Sequence, residues 1–196
     1  MSRGWNTAAF ALATIAVTCL AASASGRIGV RADPLLLEWS LFRPAESLSS
    51  SEDARIAAEM SFPQPLRIER DDSGSYRLPE FSVRVAPNRS QTLVRRSIQP
   101  SRELLRHEQG HYDLVVLAAR ALARELDAVR AGSPQEVAHL AEDLVAEHTR
   151  RAERLSERYD DETSHGRELA AQSAWSANVA AALAAPAVAS IAGMPL

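Results

Sequence analysis

The sequence predicts an α+β fold on three observations. Residues 33–98 carry short runs in which apolar and polar residues alternate, the period of a half-buried strand. From Ser101 onward the apolar residues recur every three or four positions, the period of a helix. A helix stop and a helix start follow one another at 132–136, so two of the helices must fold back as an antiparallel hairpin. Strands first and helices later separate this pattern from an alternating α/β chain. The expected architecture is a small antiparallel or mixed sheet, a long helix, its hairpin partner and a C-terminal helix, all in one domain over residues 33–184.

Taken in order, "LLLEWSLF" (35–42) puts Leu35, Leu37, Trp39 and Leu41 on one side and reads as a strand. "SEDARIAAEM" (51–60) fits a short helix or a strand equally well. "LRIERDDSGSYRL" (66–78) reads as two short strands joined by a turn at Asp72-Ser73-Gly74. "EFSVRVAP" (80–87) alternates Phe81, Val83 and Val85 with Ser82, Arg84 and Ala86. The first helix is expected over about 101–131, with Leu104, His111, Val115, Ala118, Leu122, Leu126 and Val129 on one stripe and Gly132 as its stop. Ser133, Pro134 and Glu136 form a capping box that opens the second helix. Its stripe is Val137, Leu140, Leu144, His148, Ala152, Leu155 and Tyr159. A third helix is expected over about 167–184 and contains Gln172 and Trp175; the tail 185–196 is expected to be loose.

The chain has 196 residues and a formal net charge of −3, with no electrostatic footprint of nucleic-acid binding. All its basic residues are arginine. Arg3, the apolar run "AAFALATIAVTCLAA" and the A-x-A pattern of Ala22, Ser23 and Ala24 read as a secretory signal peptide over residues 1–24. The run falls short of the ~20 residues a spanning helix needs, so cleavage is expected, with no stable membrane insertion afterwards. The expected location is secreted or periplasmic. Cys19, the only cysteine, lies inside that segment, so the mature chain would rely on its core or a metal for stability.

"LLRHEQGHYDL" (104–114) carries the chemistry. His107 and His111 are one helical turn apart, so both rings leave the same face and can reach one ion at the ~2.0–2.1 Å that zinc requires. Glu108 flanks that face and is placed to act as general base toward a zinc-activated water. This is the H-E-x-x-H arrangement of metalloproteases. The alternative is a plain helix whose histidines only line a face.

Hairpin geometry narrows the choice of third ligand. If the chain reverses at 132–133, His148 lies about 9 Å along the axis from His111 and His139 about 22 Å, both out of ligand reach. His148 then reads as a core or boundary histidine and His139 as a surface one. "YDDETSHG" (159–166) returns to the level of His107. His165 is the first candidate for third ligand, with Glu162, Asp160 and Asp161 as alternatives.

These residues resemble a bacterial family of unknown function, domain family 922, described as predicted secreted zinc-dependent proteases of the zincin type. The resemblance rests on "LLRHEQGHYDL", on "YDDETSHG" with Tyr159, Asp160, Thr163, His165 and Gly166 in the family pattern, and on Gln172 and Trp175. It implies a zincin-like fold, a bound Zn2+, a peptide or protein substrate, and an edge strand above the cleft, for which "FSVRV" is the candidate. Under this reading His107, His111 and His165 hold zinc, and Glu108 is the general base. Tyr159 is a candidate oxyanion donor or a packing residue. Asp113 and Asp160 are candidates to orient a ligand histidine or simply solvated charges, and Trp175 packs beneath the site. The competing reading is an exported zinc-binding or scaffold protein without catalysis; a fourth protein ligand would favour it, because structural zinc sites are closed and catalytic ones open.

Overall fold

The computed structural model describes residues 18–19, 28–32, 36–49, 52–62, 65–80 and 82–196. The segment read as a signal peptide lies outside these residues except for Thr18–Cys19. In chain order the elements are β1 (Thr18–Cys19), β2 (Gly29–Ala32), a 3-10 turn (Trp39–Leu41), β3 (Arg43–Ala45), β4 (Ala54–Arg55), β5 (Ala58–Ser61), β6 (Arg67–Arg70), β7 (Tyr76–Arg77), β8 (Ser82–Pro87), β9 (Leu93–Arg95), α1 (Arg102–Ala128), β10 (Arg130–Ala131), α2 (Pro134–Thr163), α3 (Leu169–Ala184), β11 (Ser190–Ile191) and β12 (Met194–Pro195). The fold is α+β, with small sheets and three helices. No helix among the described residues is long and apolar enough to cross a membrane.

The strands form small mixed sheets in the orders β1-β6-β7-β10, β2-β8-β5 and β3-β9-β4, and β11 pairs with β12. Period-2 alternation in β8 buries Val83 and Val85 completely and leaves Arg84 exposed; Phe81, the first residue of that pattern, lies outside the described residues. β8 pairs in parallel with β2 and antiparallel with β5, so it is the central strand of its sheet. The expectation that "FSVRV" forms an edge is therefore corrected: of the two edges, β2 and β5, the one beside the cleft is β5, out of the stretch whose period left helix and strand undecided. The turn between β6 and β7 has Gly74 at φ 86°, and Asp71 accepts from the backbone N–H groups of Ser73 and Ser75 (3.0 and 3.1 Å).

The stretch 36–42 is not a strand. The N–H of Leu37 donates to Gln109 Oε1 (2.8 Å) instead of a neighbouring strand, and residues 39–41 tighten into a 3-10 turn with Trp39 against Phe42. A side-chain hydrogen bond across 72 residues removed the ladder that alternation alone suggested.

Ser101 caps α1 by accepting from the N–H of Leu104 (3.0 Å). The helix is buried on two faces. Tyr112, Val116, Ala119, Leu122 and Leu126 pack toward the sheets, while Leu114, Leu117 and Ala121 meet Leu155, Trp175 and Val179. Helix α1 ends at Ala128, short of the expected Gly132, because Arg130–Ala131 extends and pairs with Arg77 and Tyr76. Gly132 instead donates its N–H to Glu136 Oε2 (3.1 Å), while Ser133 Oγ accepts from the N–H of Glu136 (3.2 Å), with Pro134 at the first helical position. The two caps hold the chain reversal from both sides.

The segment 185–196, expected to be loose, is packed. It forms the β11–β12 hairpin, buries Ile191 and Leu196 against the core shared by α1, α2 and α3, and is tied down by Arg124 to the Val188 carbonyl and Arg151 to the Leu196 carbonyl. Ser133→Ala removes one capping acceptor and is expected to cost about 1 kcal/mol, a drop of roughly 2–4 °C in Tm by thermal unfolding.

Candidate metal centre

Two segments build the site. The first is the opening three turns of α1, whose spacing turns His107 and His111 the same way: their ring centroids are 4.7 Å apart and their Nε2 atoms 3.2 Å apart. The second is the C-terminal turn of α2. There Ser164, His165 and Gly166 all take left-handed backbone angles, at φ 48°, 54° and 81°. Side chains at Ser164 and His165 make this conformation costly, about 1–2 kcal/mol per residue. Thr163 helps hold it, donating from Oγ1 to the Tyr159 carbonyl (2.7 Å) and accepting from the N–H of Gly166 (3.2 Å). The result turns His165 back toward α1.

The four side chains meet at one carboxylate oxygen. Asp160 Oδ1 is 3.0 Å from His107 Nε2, 3.0 Å from His111 Nε2 and 3.1 Å from His165 Nδ1. Ligand atoms of His107, Asp160 and His165 all lie within 4.8 Å of one another, the one such group among the described residues. Ligands at 2.0–2.1 Å in a tetrahedron sit about 3.3–3.4 Å apart, so the contacts to Asp160 would open slightly around a common ion; His111 lies close to His107 and Asp160 but outside the group that includes His165, and would have to shift toward it.

The proton inventory points the same way. His107 Nδ1 is 3.1 Å from Gln172 Oε1, while the Gln172 amide nitrogen donates to the Tyr159 hydroxyl. With the amide so oriented, Nδ1 must donate, and in a neutral ring Nε2 presents only a lone pair toward Asp160 and His111. Facing lone pairs in a buried place need a cation or protons between them. Burial alone would raise the Asp160 carboxyl; where the His107 and His111 rings carry a proton toward it, their hydrogen bonds and charge outweigh burial and hold the group well below the usual carboxylate range, and a cation in the same place would act in the same direction. A negative Asp160 is what a cation site requires. Three imidazoles and one carboxylate are a donor set that fits zinc.

Glu108 lines the same cleft and is 2 % exposed. Burial pushes its carboxyl up to about 7, against the pull of His107 and of the Ile56 N–H that donates to Oε2 (2.7 Å). That bond aims one carboxylate oxygen at the segment between β4 and β5 and fixes the rotamer. The cleft, about 290 Å³, runs between residues 52–60 and α2, with α1 as its floor.

The other candidates are placed elsewhere. Tyr159 does not face the cleft: its ring stacks on His107 (4.7 Å, 19°), its hydroxyl donates to the His107 carbonyl (3.2 Å), and burial drives its pKa upward. It is a positioning residue, and the oxyanion role is set aside. Asp113 does not orient a ligand. It accepts from Gln109 Nε2 (2.8 Å) and lines a cavity on the other side of α1 beside Tyr112 and Arg120. Asp160, weighed both as an alternative ligand and as a residue orienting one, stands among the donors of the cluster. Glu162 pairs with Arg158 and with the Trp175 indole N–H, and Asp161 is exposed, so neither competes with His165. Trp175 packs edge-on against Tyr159 (5.4 Å). His148 is fully buried with Nε2 3.2 Å from Glu125 Oε1, and His139 is exposed, both away from the site as the hairpin register requires.

Sequence reasoning left two parts of the site without a role, Gln172 and Gly110; Gly166, expected to let the backbone turn after His165, does so at φ 81°. A Cβ on Gly110 would run into the Tyr159 hydroxyl and ring carbons (2.6 and 2.9 Å), and one on Gly166 would meet His107 Cβ and Cγ (2.9 and 3.0 Å). The signal was present: a glycine inside a helix, between two histidines, costs about 1 kcal/mol in propensity and so marks a close approach.

Gly110→Ala, favourable for helix propensity, is expected to lower Tm by an amount equivalent to about 1–3 kcal/mol, read by thermal unfolding. For Asp113, burial raises the carboxyl to about 6, so the fold disfavours its ionised form. That penalty is present above about pH 6 and absent below the ordinary carboxylate value near 3.9. Asp113→Asn is therefore expected to raise Tm at pH 8 and to leave it unchanged at pH 3.5, measured by calorimetry.

No curated protein and no solved structure matches the chain. Residues 54–166, which run from β4 through the Gly166 turn and include the whole donor cluster, match the family described as "Bacterial protein of unknown function (DUF922)". With more than half its length inside that match, the chain belongs to this family.

Proposed function

We propose that the protein is a zinc-dependent metallopeptidase of zincin-like architecture, acting outside the cytoplasm on peptide or protein substrates. The observation that carries this reading is the placing of Glu108, a buried carboxylate with a pKa near neutrality, in the same open cleft as a four-donor cluster suited to a divalent cation. Zinc held by His107, His111 and His165 would supply Lewis-acid polarisation of a carbonyl and a lowered pKa for a water molecule. The residues do the rest. Glu108, oriented by the Ile56 N–H, accepts a proton from the attacking water and returns it to the departing amine. Gln172 keeps the His107 tautomer in which Nε2 is the free donor, as ligand histidines generally require. β5, the outer strand of its sheet, lies along the cleft and offers an edge to an extended peptide.

The outer location is supported by the apolar N-terminal segment with its A-x-A pattern and by the absence of cysteine beyond residue 19.

A second reading has one specific observation behind it. Asp160 Oδ1 meets all three imidazoles, and four protein donors make a closed centre of the kind that holds metal for structure or storage. Under the peptidase reading Asp160 has to yield its place to water or widen the coordination.

The two readings separate on one set of proteins. With wild-type chain and zinc, hydrolysis of casein is expected; Glu108→Gln is expected to lower it by roughly 10²–10⁴-fold while zinc stays at about one per chain by elemental analysis. His165→Ala is expected to lose zinc. Undiminished hydrolysis by Glu108→Gln removes the assigned base; bound zinc with no hydrolysis by wild type supports the closed centre.

A further inference from the structure

The walls of the cleft carry charge that the proposed chemistry does not use. Besides Glu108 and Asp160, five carboxylates line it against a single arginine, Arg55, which Glu52 holds in an ion pair. Asp53 is likewise engaged, by Arg95 and Arg167 (3.5 and 3.2 Å). Glu59 on β5 has only the neutral Asn88 amide (2.6 Å), and Glu153 and Glu157 on the facing side of α2 have no partner among the described residues.

Helix α2 sorts its charges by face. Arg150, Arg151 and Arg154 all turn to Glu147, and Arg158 turns to Glu162. Arg150 precedes Glu153 by three residues and Arg154 precedes Glu157 by three, a spacing that permits pairing, yet neither pair forms. The two glutamates instead stand one turn apart on the cleft side, an arrangement that slightly destabilises a helix. Glu59, Glu153 and Glu157 also do not converge on a point: the one group of side chains spaced to hold a metal ion among the described residues is the cluster already described. Carboxylates spread along both walls of a cleft concentrate negative potential along its length and match a ligand with several spaced positive charges. Between them the floor offers Leu104 and Val115, apolar surface for the methylene stems of long basic side chains.

We propose that this cleft selects an extended polypeptide segment rich in arginine or lysine, with Glu153 and Glu157 on one wall and Glu59 on the other reading its side chains. The proposal rests on the cleft being a peptide groove and adds the class of peptide.

The test is binding of fluorescein-labelled peptides of equal length, one alternating Arg and Ala, one Glu and Ala and one Ser and Ala, to the full zinc-loaded chain by fluorescence anisotropy at low and physiological salt. The basic peptide is expected to bind at least about tenfold tighter than the acidic one, with the margin shrinking as salt rises. Glu153→Gln with Glu157→Gln, both exposed, is expected to weaken the basic peptide by roughly three- to tenfold with Tm unchanged or slightly raised and the neutral peptide unaffected. Equal binding of the three peptides, or a basic preference untouched by the double substitution, overturns the proposal. Selective binding without hydrolysis keeps it and removes the peptidase reading; hydrolysis without charge preference does the reverse.

Discussion

Three imidazole nitrogens lie within about 3.1 Å of one carboxylate oxygen at the end of α2, and the rest of the structure depends on that convergence. Such a cluster is unstable by itself. His107 and Asp160 are buried, their lone pairs face one another, and the low dielectric magnifies any imbalance. A divalent cation would resolve the conflict by giving every donor a partner. The surrounding residues read as a scaffold for that outcome. Gln172 fixes the proton on the far side of His107, Tyr159 stacks beneath the ring and holds its backbone carbonyl, and Gly110 and Gly166 leave room for both contacts. Ser164 and His165 accept left-handed backbone to bring the last imidazole round. Strain of this kind persists where the neighbours over-determine it.

The same geometry sets the tension over function. Glu108 is kept in a place where burial opposes its charge, a cost with no structural return beyond one bond to Ile56. A purely structural centre has no need of it. Asp160, on the other hand, completes a donor set that a purely catalytic centre would leave open. A hydrolase with a carboxylate that moves aside and a storage site with an idle base are both consistent with one of these residues and awkward for the other. The open acidic cleft, bounded by β5 at the edge of its sheet among the described residues, tips the balance toward a site that receives something.

Much of this was legible in the sequence. The histidine pair followed from helical spacing alone. His165 followed from the hairpin: a reversal at 132–133 puts the level of His107 near residue 158, and the structure pairs it with Tyr159 and Asp160. What stayed hidden has physical causes. Asp113 is two residues from His111, about 200° round the helix, so it was bound to face away. For Asp160 the spacing left two roles open, ligand or residue behind a ligand, because it fixes the level and not the rotamer. Gln172 acts across 65 residues and Gln109 across 72, and no local pattern reports such contacts. The end of α1 was misjudged because Arg130 and Ala131 leave the helix to pair with β7, a tertiary demand that overrode a plausible glycine stop. The C-terminal hairpin was missed because its two strands are only two residues long and its anchors, Ile191 and Leu196, are isolated.

The most direct test of the central claim is X-ray absorption at the zinc edge of the zinc-loaded chain. The account predicts three imidazoles and at least one oxygen at about 2.0–2.1 Å, with no bound zinc left to report in His165→Ala. Zinc that fails to bind, or a first shell with fewer than three imidazoles in the wild-type chain, would contradict it.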